Sequence, residues 1–183
     1  MQLAIIGAGP LGRWLALAAT RAGYAVLLED VMPANLHHAQ EYLRQQLGPS
    51  ALPTVRFVST IEEAVREADL AIDCVPDELE SKLEIFCLLD RMAPPRTVLV
   101  TPTKRLSIAD LASCTYRAEN CVALVADMQE LGVERGCEDG EPREAAGILL
   151  RTPPQATAET IAMVREFWER VGFEPRFEAD CAV

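Results

Sequence analysis

Basic residues are scarce in this sequence, and their scarcity excludes one class of partner. The 183 residues include 17 lysines and arginines against 28 aspartates and glutamates, which gives a formal net charge of −11. A protein with this charge repels polyanions, so we expect neither nucleic acid nor a membrane surface as a partner. No apolar run is long enough to cross a bilayer, and Met1 leads directly into a strand pattern instead of a signal peptide. We therefore expect a cytoplasmic location.

Signatures of metal sites are also absent. The only histidines are His37 and His38, and none of the six cysteines forms a CxxC pair. Zinc sites use closely spaced Cys and His ligands, so we expect no bound metal. The histidines fall on a predicted helix, where a metal or catalytic role competes with simple exposure to solvent. Cys74 and Cys121 lie in apolar runs typical of a core, whereas Cys137 lies in a polar segment and should be exposed.

A glycine-rich turn dominates the first thirty residues. An apolar strand pattern at residues 3–6 leads into GAGPLG, which opens a helix rich in Ala and Leu. In this context the pattern GxGxxG predicts dinucleotide binding, because the helix N-terminus offers N–H groups and positive dipole to a pyrophosphate. Gly7 permits the tight turn, Gly9 the approach of the phosphates, and Gly12 close packing of the helix on the sheet. The predicted contacts are Gly7, Gly9, Pro10, Leu11 and Gly12. The alternative is a turn that serves packing alone.

Two acids, Glu29 and Asp30, end the second predicted strand. An acid about 20 residues beyond the last glycine of this motif accepts hydrogen bonds from the adenosine ribose. We expect Asp30 to accept both ribose hydroxyls and to repel a 2′-phosphate, with Glu29 adding to the repulsion. NAD is therefore the predicted cofactor, in preference to NADP.

Strand and helix patterns alternate along the rest of the chain. Further strand patterns occur at residues 55–58, 70–75, 97–101, 121–126, 147–151 and 173–177. The alternation predicts an α/β fold, a doubly wound, mostly parallel Rossmann-type sheet with helices on both faces, as a single domain over residues 1–183. Residues 127–146 are acidic and without periodicity, and we expect them to form a mobile loop.

Ligands of such sheets bind beyond the carboxyl ends of the strands. This rule should bring four segments to one crevice. They are the turn after Ile6, Asp30, the turn Val75-Pro76-Asp77 and the loop from Thr101 to Arg105.

These motifs resemble the NAD-binding domain of the 3-hydroxyacyl-CoA dehydrogenases. The likeness includes the glycine turn with Glu29-Asp30, the segment from Ile61 to Asp69, the turn from Val75 to Glu80 with Lys82, and the segment from Leu106 to Ala112. Most of the chain is covered. Besides the glycine turn, the resemblance implies cofactor contacts by Asp30, Cys74, Val75, Pro76, Asp77, Lys82, Thr101 and Thr103.

The same resemblance shows departures at the catalytic positions. The family's catalytic His aligns with Val125, the Glu that orients it falls near Ile148, and an Asn of its cofactor loop is replaced by Pro102. A general base contributes about 10²–10⁴ in rate, so the standard reaction is not expected. Lys104 aligns with a substrate-contacting Ser and is the candidate catalytic residue, because a desolvated lysine can act as an acid. The alternative is a solvent-facing Lys104 beside Arg105.

Three functions stay open from the sequence. The first is an NAD(H)-binding protein without the family's catalytic residues, and the second is an active NAD-dependent oxidoreductase on a hydroxyacyl-CoA or another small hydroxy or keto substrate. The third is a non-catalytic scaffold, which Asp30 disfavours because scaffolding does not require that acid. The family's C-terminal helical domain, which supplies much of its dimer interface, has no counterpart in this sequence. A homodimer through apolar helix faces, including that of Trp168, is a further expectation to test.

Overall fold

The computed structural model describes residues 1–47, 54–126, 131 and 146–180. The strands are β1 (Gln2–Ile6), β2 (Ala25–Glu29), β3 (Val55–Val58), β4 (Leu70–Asp73), β5 (Val98–Pro102), β6 (Cys121–Val125), β7 (Ala146–Thr152) and β8 (Phe173–Ala179). The helices are α1 (Pro10–Arg21), α2 (Pro33–Leu47), α3 (Ile61–Val65), α4 (Leu79–Met92), α5 (Ile108–Ala112) and α6 (Ala158–Val171). No helix in the described part of the chain has the length and apolar character needed to cross a membrane.

The strands form one eight-stranded sheet in the order β3-β2-β1-β4-β5-β6-β7-β8. Neighbouring strands are parallel except for β6 and β7, which are antiparallel. The order of the first six strands is that of the dinucleotide-binding doubly wound fold. The predicted Rossmann-type sheet is therefore confirmed. Its strand order reverses between β1 and β4, and a crevice opens at the carboxyl ends of the strands at such a reversal.

Side chains of β1 point alternately into two hydrophobic cores, one on each face of the sheet. Leu3 and Ile5 belong to the core that α1, α2 and α6 cover, where Trp168 is fully buried. Ala4 and Ile6 belong to the core under α3, α4 and α5. Because both faces of β1 are buried, the strand is a continuous apolar run. The helices on both faces, predicted from the alternation of elements, are confirmed.

Helix α3, which Thr60 caps, ends at Val65, and the Asp69 N–H then donates to Gln2 O and returns the chain to β1. The predicted end of the strand at residues 70–75 needs correction. Strand β4 ends at Asp73, two residues before the predicted end. Two predictions fall outside the described residues: the exposure of Cys137, and the mobile loop at 127–146 apart from residues 131 and 146.

The first turn of α1 lies against the end of β1 at a distance that only glycine permits. A Cβ atom on Gly12 would lie 1.8 Å from Gly7 O, far inside van der Waals contact. Gly7 has a φ of +104°, and a Cβ there would lie 3.3 Å from the backbone of Cys74. Packing therefore requires glycine at position 12, and the positive φ together with the approach of Cys74 favours it at position 7. The contact fixes the N-terminus of α1 at the crevice.

Replacing Gly12 by alanine should destabilise the fold, because the new methyl group would overlap Gly7 O in the turn after β1. We expect a loss of about 3 kcal/mol or more, the upper end of overpacking costs, measured by thermal and urea denaturation. Gly147→Ala is the matched control, since a Cβ on Gly147 would have no atom within 4 Å. Equal stability of the two variants would contradict the close contact.

Candidate functional site

The glycine-rich turn presents the N-terminus of α1 to the crevice. Gly9 occupies the N-cap position and has no side chain with which to cap the helix. A Cβ on Gly9 would have no protein atom within 4 Å, so the space beside it is open to a ligand. Uncapped amides and the helix dipole together favour an anion such as a pyrophosphate. In contrast to Gly7 and Gly12, Gly9 is not required by packing, and its missing side chain leaves room for a bound group.

Asp30 joins the glycine turn to the start of α2. Its Oδ2 accepts hydrogen bonds from Ala8 N at 2.9 Å and Asn35 Nδ2 at 3.0 Å. Its Oδ1 accepts from Met32 N at 2.8 Å. A carboxylate offers about four acceptor positions, so these bonds leave room for one ribose hydroxyl. The sequence predicts that Asp30 binds both ribose hydroxyls. To bond to Asp30, the second hydroxyl must displace Asn35; otherwise it binds elsewhere.

Glu29 also lines the cleft, with 5% of its surface exposed. Burial, followed by the neighbouring charge of Asp30, raises the pKa of Glu29 to about 7. A group with this pKa carries about half a negative charge at neutral pH. Glu29 therefore repels a 2′-phosphate less strongly than its place in the sequence suggests.

Asp73, Lys82 and Thr101 form a buried network beneath the crevice. Asp73 Oδ2 lies 3.1 Å from Lys82 Nζ and accepts a hydrogen bond from Thr101 Oγ1 at 2.9 Å. Asp73 Oδ1 accepts from Val75 N at 2.9 Å, which fixes the turn after β4. Burial raises the pKa of Asp73, and the charge of Lys82 opposes this effect. The network holds the floor of the site.

The predicted cofactor contacts of Lys82 and Thr101 need correction. Lys82 is 1% exposed and Thr101 is fully buried, and neither lines the cleft. Both side chains form hydrogen bonds with Asp73. The buried ammonium group of Lys82 requires such a carboxylate partner, because an unpaired buried charge is strongly destabilising. Gly12 likewise packs against the sheet and does not line the cleft. These three residues support the site from below.

The loop between β5 and α5 forms the rim opposite Asp30. Thr103 Oγ1 accepts hydrogen bonds from Arg105 N at 3.3 Å and Leu106 N at 3.1 Å. Lys104 N donates to Asp77 Oδ2 at 3.3 Å, and Arg105 Nη2 donates to Asp77 O at 3.1 Å. These bonds tie the loop to the turn after β4, while the residues Lys104 and Arg105 stay exposed at the rim.

Together these segments border one cleft of about 880 Å³. The predicted site residues that line it are Gly7, Gly9, Pro10, Leu11, Asp30, Cys74, Val75, Pro76, Asp77, Thr103 and Lys104. The lining residues that sequence reasoning did not assign to binding include Val31, Asn35, Ile61, Ile85, Arg105 and Ala126. Of these, Asn35 had a usable signal, since it is a polar residue in the first turn of the helix after Asp30. The open helix N-terminus, the carboxylate of Asp30 and the size of the cleft fit a dinucleotide.

The two histidines and three of the four cysteines that the structure describes do not line this cleft. His37 and His38 are exposed on α2, so simple exposure to solvent describes them better than a site. Cys121 is fully buried as predicted, whereas Cys74 is partly buried, packs against the core and also lines the cleft. In the described ranges no group of three or more His, Cys, Asp or Glu side chains is placed to hold a metal ion.

Comparison with known proteins now assigns the family. Residues 2–124 match the family described as "3-hydroxyacyl-CoA dehydrogenase, NAD binding domain". This chain belongs to that family. NAD is accordingly its cofactor, in agreement with the prediction from the glycine turn and Asp30.

Individual relatives cover different shares of the chain. A probable 3-hydroxybutyryl-CoA dehydrogenase of Bacillus subtilis is 29% identical over 136 residues, 67% of this chain and 47% of the relative. The 5-formyl-3-hydroxy-2-methylpyridine 4-carboxylate 5-dehydrogenase of Mesorhizobium japonicum is 32% identical over 185 aligned positions, 95% of this chain and 56% of the relative. A crystal structure of a dehydrogenase with the latter activity, described as an NAD⁺-dependent dismutase, superposes with a TM-score of 0.78 at 25% identity, covering 98% of this chain and 58% of that one. The chain thus spans about half the length of the curated relatives it matches.

Gly9→Ala should separate binding from folding. The methyl group meets no protein atom, so the variant should unfold at the wild-type temperature. It enters the space beside the α1 amides, so we expect NADH affinity to fall about 10-fold or more in calorimetric titration. Gly147→Ala is again the control. Unchanged NADH affinity in Gly9→Ala would contradict this position for the pyrophosphate.

Glu29→Gln should change the pH dependence of stability. Because the folded state raises the pKa of Glu29 from 4.5 to about 7, it binds more protons than the unfolded state in this window. The contribution of Glu29 to stability is thus present below pH 4.5 and is lost as the pH rises to about 7. We expect Glu29→Gln to flatten this fall and to be more stable than the wild type at pH 8, by urea denaturation. The exposed Glu67→Gln is the control, and identical pH profiles for both variants would contradict the burial of Glu29.

Proposed function

We propose that this chain is an NAD(H)-binding protein of the 3-hydroxyacyl-CoA dehydrogenase type without the family's standard catalytic residues. The observation that carries the proposal is the apolar character of the positions where the resemblance puts the catalytic His and its Glu. Val125 ends β6, and Ile148 is 5% exposed and packed in the core on β7. Neither side chain can accept or donate a proton, and a general base is worth about 10²–10⁴ in rate.

The histidines of the chain do not replace the missing base. His37 and His38 lie on α2, the crossover between β2 and β3, whereas the loop with Lys104 follows β5. Strands β1 and β4 separate β2 from β5, which corresponds to about 14 Å across the sheet. The end of the cleft away from Asp30 therefore has no imidazole from this chain.

An active NAD-dependent oxidoreductase is the second candidate, and the position of Lys104 favours it. Lys104 lines the cleft beyond the carboxyl end of β5. When bound, NAD supplies hydride transfer, and the protein must supply orientation and a proton route. Lys104 could hold the proton that a substrate oxygen takes up or releases, on a hydroxyacyl-CoA or another small hydroxy or keto compound. The names of the Bacillus and Mesorhizobium relatives, both dehydrogenases, support this candidate.

A non-catalytic scaffold is the third candidate. The open space beside Gly9 and the buried carboxylate of Asp30 argue against it, because a scaffold gains nothing from a free helix N-terminus at a cleft.

Calorimetric titration of the full chain with NADH and NADPH tests the proposal. We expect NADH to bind at least about 10-fold more tightly than NADPH, because a 2′-phosphate meets the carboxylate of Asp30. Failure of both dinucleotides to bind would contradict the proposal and leave only the scaffold.

Turnover separates the first two candidates. With NADH and acetoacetyl-CoA, and with a panel of keto acids, we expect no loss of nicotinamide absorbance from the wild type. Turnover by the wild type would contradict the non-catalytic proposal. If Lys104→Ala then abolished turnover and Arg44→Ala left it intact, the chain would be an oxidoreductase that uses Lys104. Arg44 is a suitable control, since it is a largely exposed cation on α2.

A further inference from the structure

Charged side chains that line the cleft stand at its two ends. Glu29 and Asp30 stand at the carboxyl end of β2, while the two cations Lys104 and Arg105 stand in the loop after β5, beside the single carboxylate of Asp77. At ordinary strand spacing the two groups are about 14 Å apart, because β1 and β4 lie between. The chain as a whole carries a net charge of −11. Two adjacent cations on one rim of the cleft therefore make that end the place where an anionic ligand is attracted.

The loop that carries the two cations is held in place before any ligand binds. Thr103 N donates to Leu124 O at 2.9 Å, and Thr103 Oγ1 accepts from Arg105 N and Leu106 N. One arm of the Arg105 guanidinium donates to Asp77 O at 3.1 Å. The guanidinium has further N–H donors in a planar fork, which matches the two oxygens of a carboxylate. Because the backbone and one arm are already fixed, a ligand loses little entropy in ordering them.

Asp77, at the same rim, has a carboxylate oxygen without a hydrogen-bond donor in the described part of the chain. Its Oδ1 is buried and has no hydrogen-bond partner among the described residues, while its Oδ2 accepts from Lys104 N. A buried acceptor without a donor is unfavourable. If the carboxylate of Asp77 turned this oxygen towards the cleft, a hydroxyl group of a ligand would donate to it, and the rim would then combine cations for an acid with an acceptor for a hydroxyl.

We infer that Arg105, with Lys104 beside it, recognises the carboxylate of a small hydroxy or keto acid at the end of the cleft away from Asp30. The inference rests on the proposed function, because it requires the dinucleotide to occupy the rest of the cleft. A pyrophosphate at the N-terminus of α1 lies over β1 and β4, and the nicotinamide then extends towards Thr103. The exposed rim at Lys104 and Arg105 is left to a second ligand. The phosphates of an acyl-CoA are the other source of anionic oxygens, and the experiment distinguishes them.

Calorimetric titration of the NADH-saturated full chain with 3-hydroxybutyrate tests the inference. NADH cannot accept a hydride, so the acid is not consumed. We expect the acid to bind about 10-fold or more tightly than its methyl ester, and Arg105→Ala to remove this preference, as for a charge-assisted hydrogen bond. Arg105→Lys should keep part of the preference, since it retains the charge without the fork. The exposed Arg44→Ala should keep all of it.

NADH affinity distinguishes this inference from the function on which it rests. Arg105→Ala should bind NADH within about threefold of the wild type, which also shows that it is folded. An equal loss of NADH and acid affinity would overturn the inference and assign Arg105 to the pyrophosphate. Equal affinity for the acid and its ester would overturn the inference. Binding of coenzyme A alone that Arg105→Ala weakens would also overturn it, because Arg105 would then recognise phosphate. Failure of the wild type to bind NADH would instead overturn the proposed function, and this inference with it.

Discussion

The approach of α1 to the end of β1 is the constraint on which the site depends. Gly7 O stands where a side chain on Gly12 would have to be, so the helix lies closer to the strand than any other residue type allows. This closeness puts the first amides of α1 directly at the crevice between β1 and β4. Gly9 then leaves the space in front of them empty. One backbone contact thus determines both the position of the helix dipole and the room for a phosphate.

The rest of the site is built outwards from that contact in two different ways. On one side Asp30 bonds to Ala8 N and so holds the glycine turn to the end of β2. On the other side the buried pair of Asp73 and Lys82 fixes the turn after β4 through Val75 N. Breaking such a pair leaves a buried charge without a partner, which costs more than the pair itself contributes. Buried hydrogen bonds therefore fix the floor of the cleft, whereas the cations Lys104 and Arg105 lie on the exposed rim after β5.

The glycine turn, the doubly wound, mostly parallel sheet and NAD could be predicted from the sequence because local rules dictate them. A positive φ at Gly7 and the overlap at Gly12 admit only glycine, and alternating strands and helices restrict the sheet to few topologies. Lys82 could not be placed in this way. Its position on α4 is readable, but its direction towards Asp73 depends on how the helix lies across the sheet.

The electrostatic properties of the site could not be predicted from the sequence either. Glu29 looks like an ordinary carboxylate beside Asp30, yet its burial raises its pKa to about 7. Arg105 looks like a companion of Lys104, yet its bond to Asp77 O gives it a defined position. Both effects come from neighbours that are distant along the chain. Sequence reasoning identifies such residues by type, and only tertiary contacts decide what they do.

A crystal structure of the full chain grown with saturating NADH tests the central claim most directly. We expect pyrophosphate oxygens beside Gly9 and within hydrogen-bond distance of the Leu11 amide, with the adenosine ribose at Asp30 and the nicotinamide towards Thr103. NADH bound elsewhere, or an N-terminus of α1 without a phosphate in the NADH-bound crystal, would contradict it.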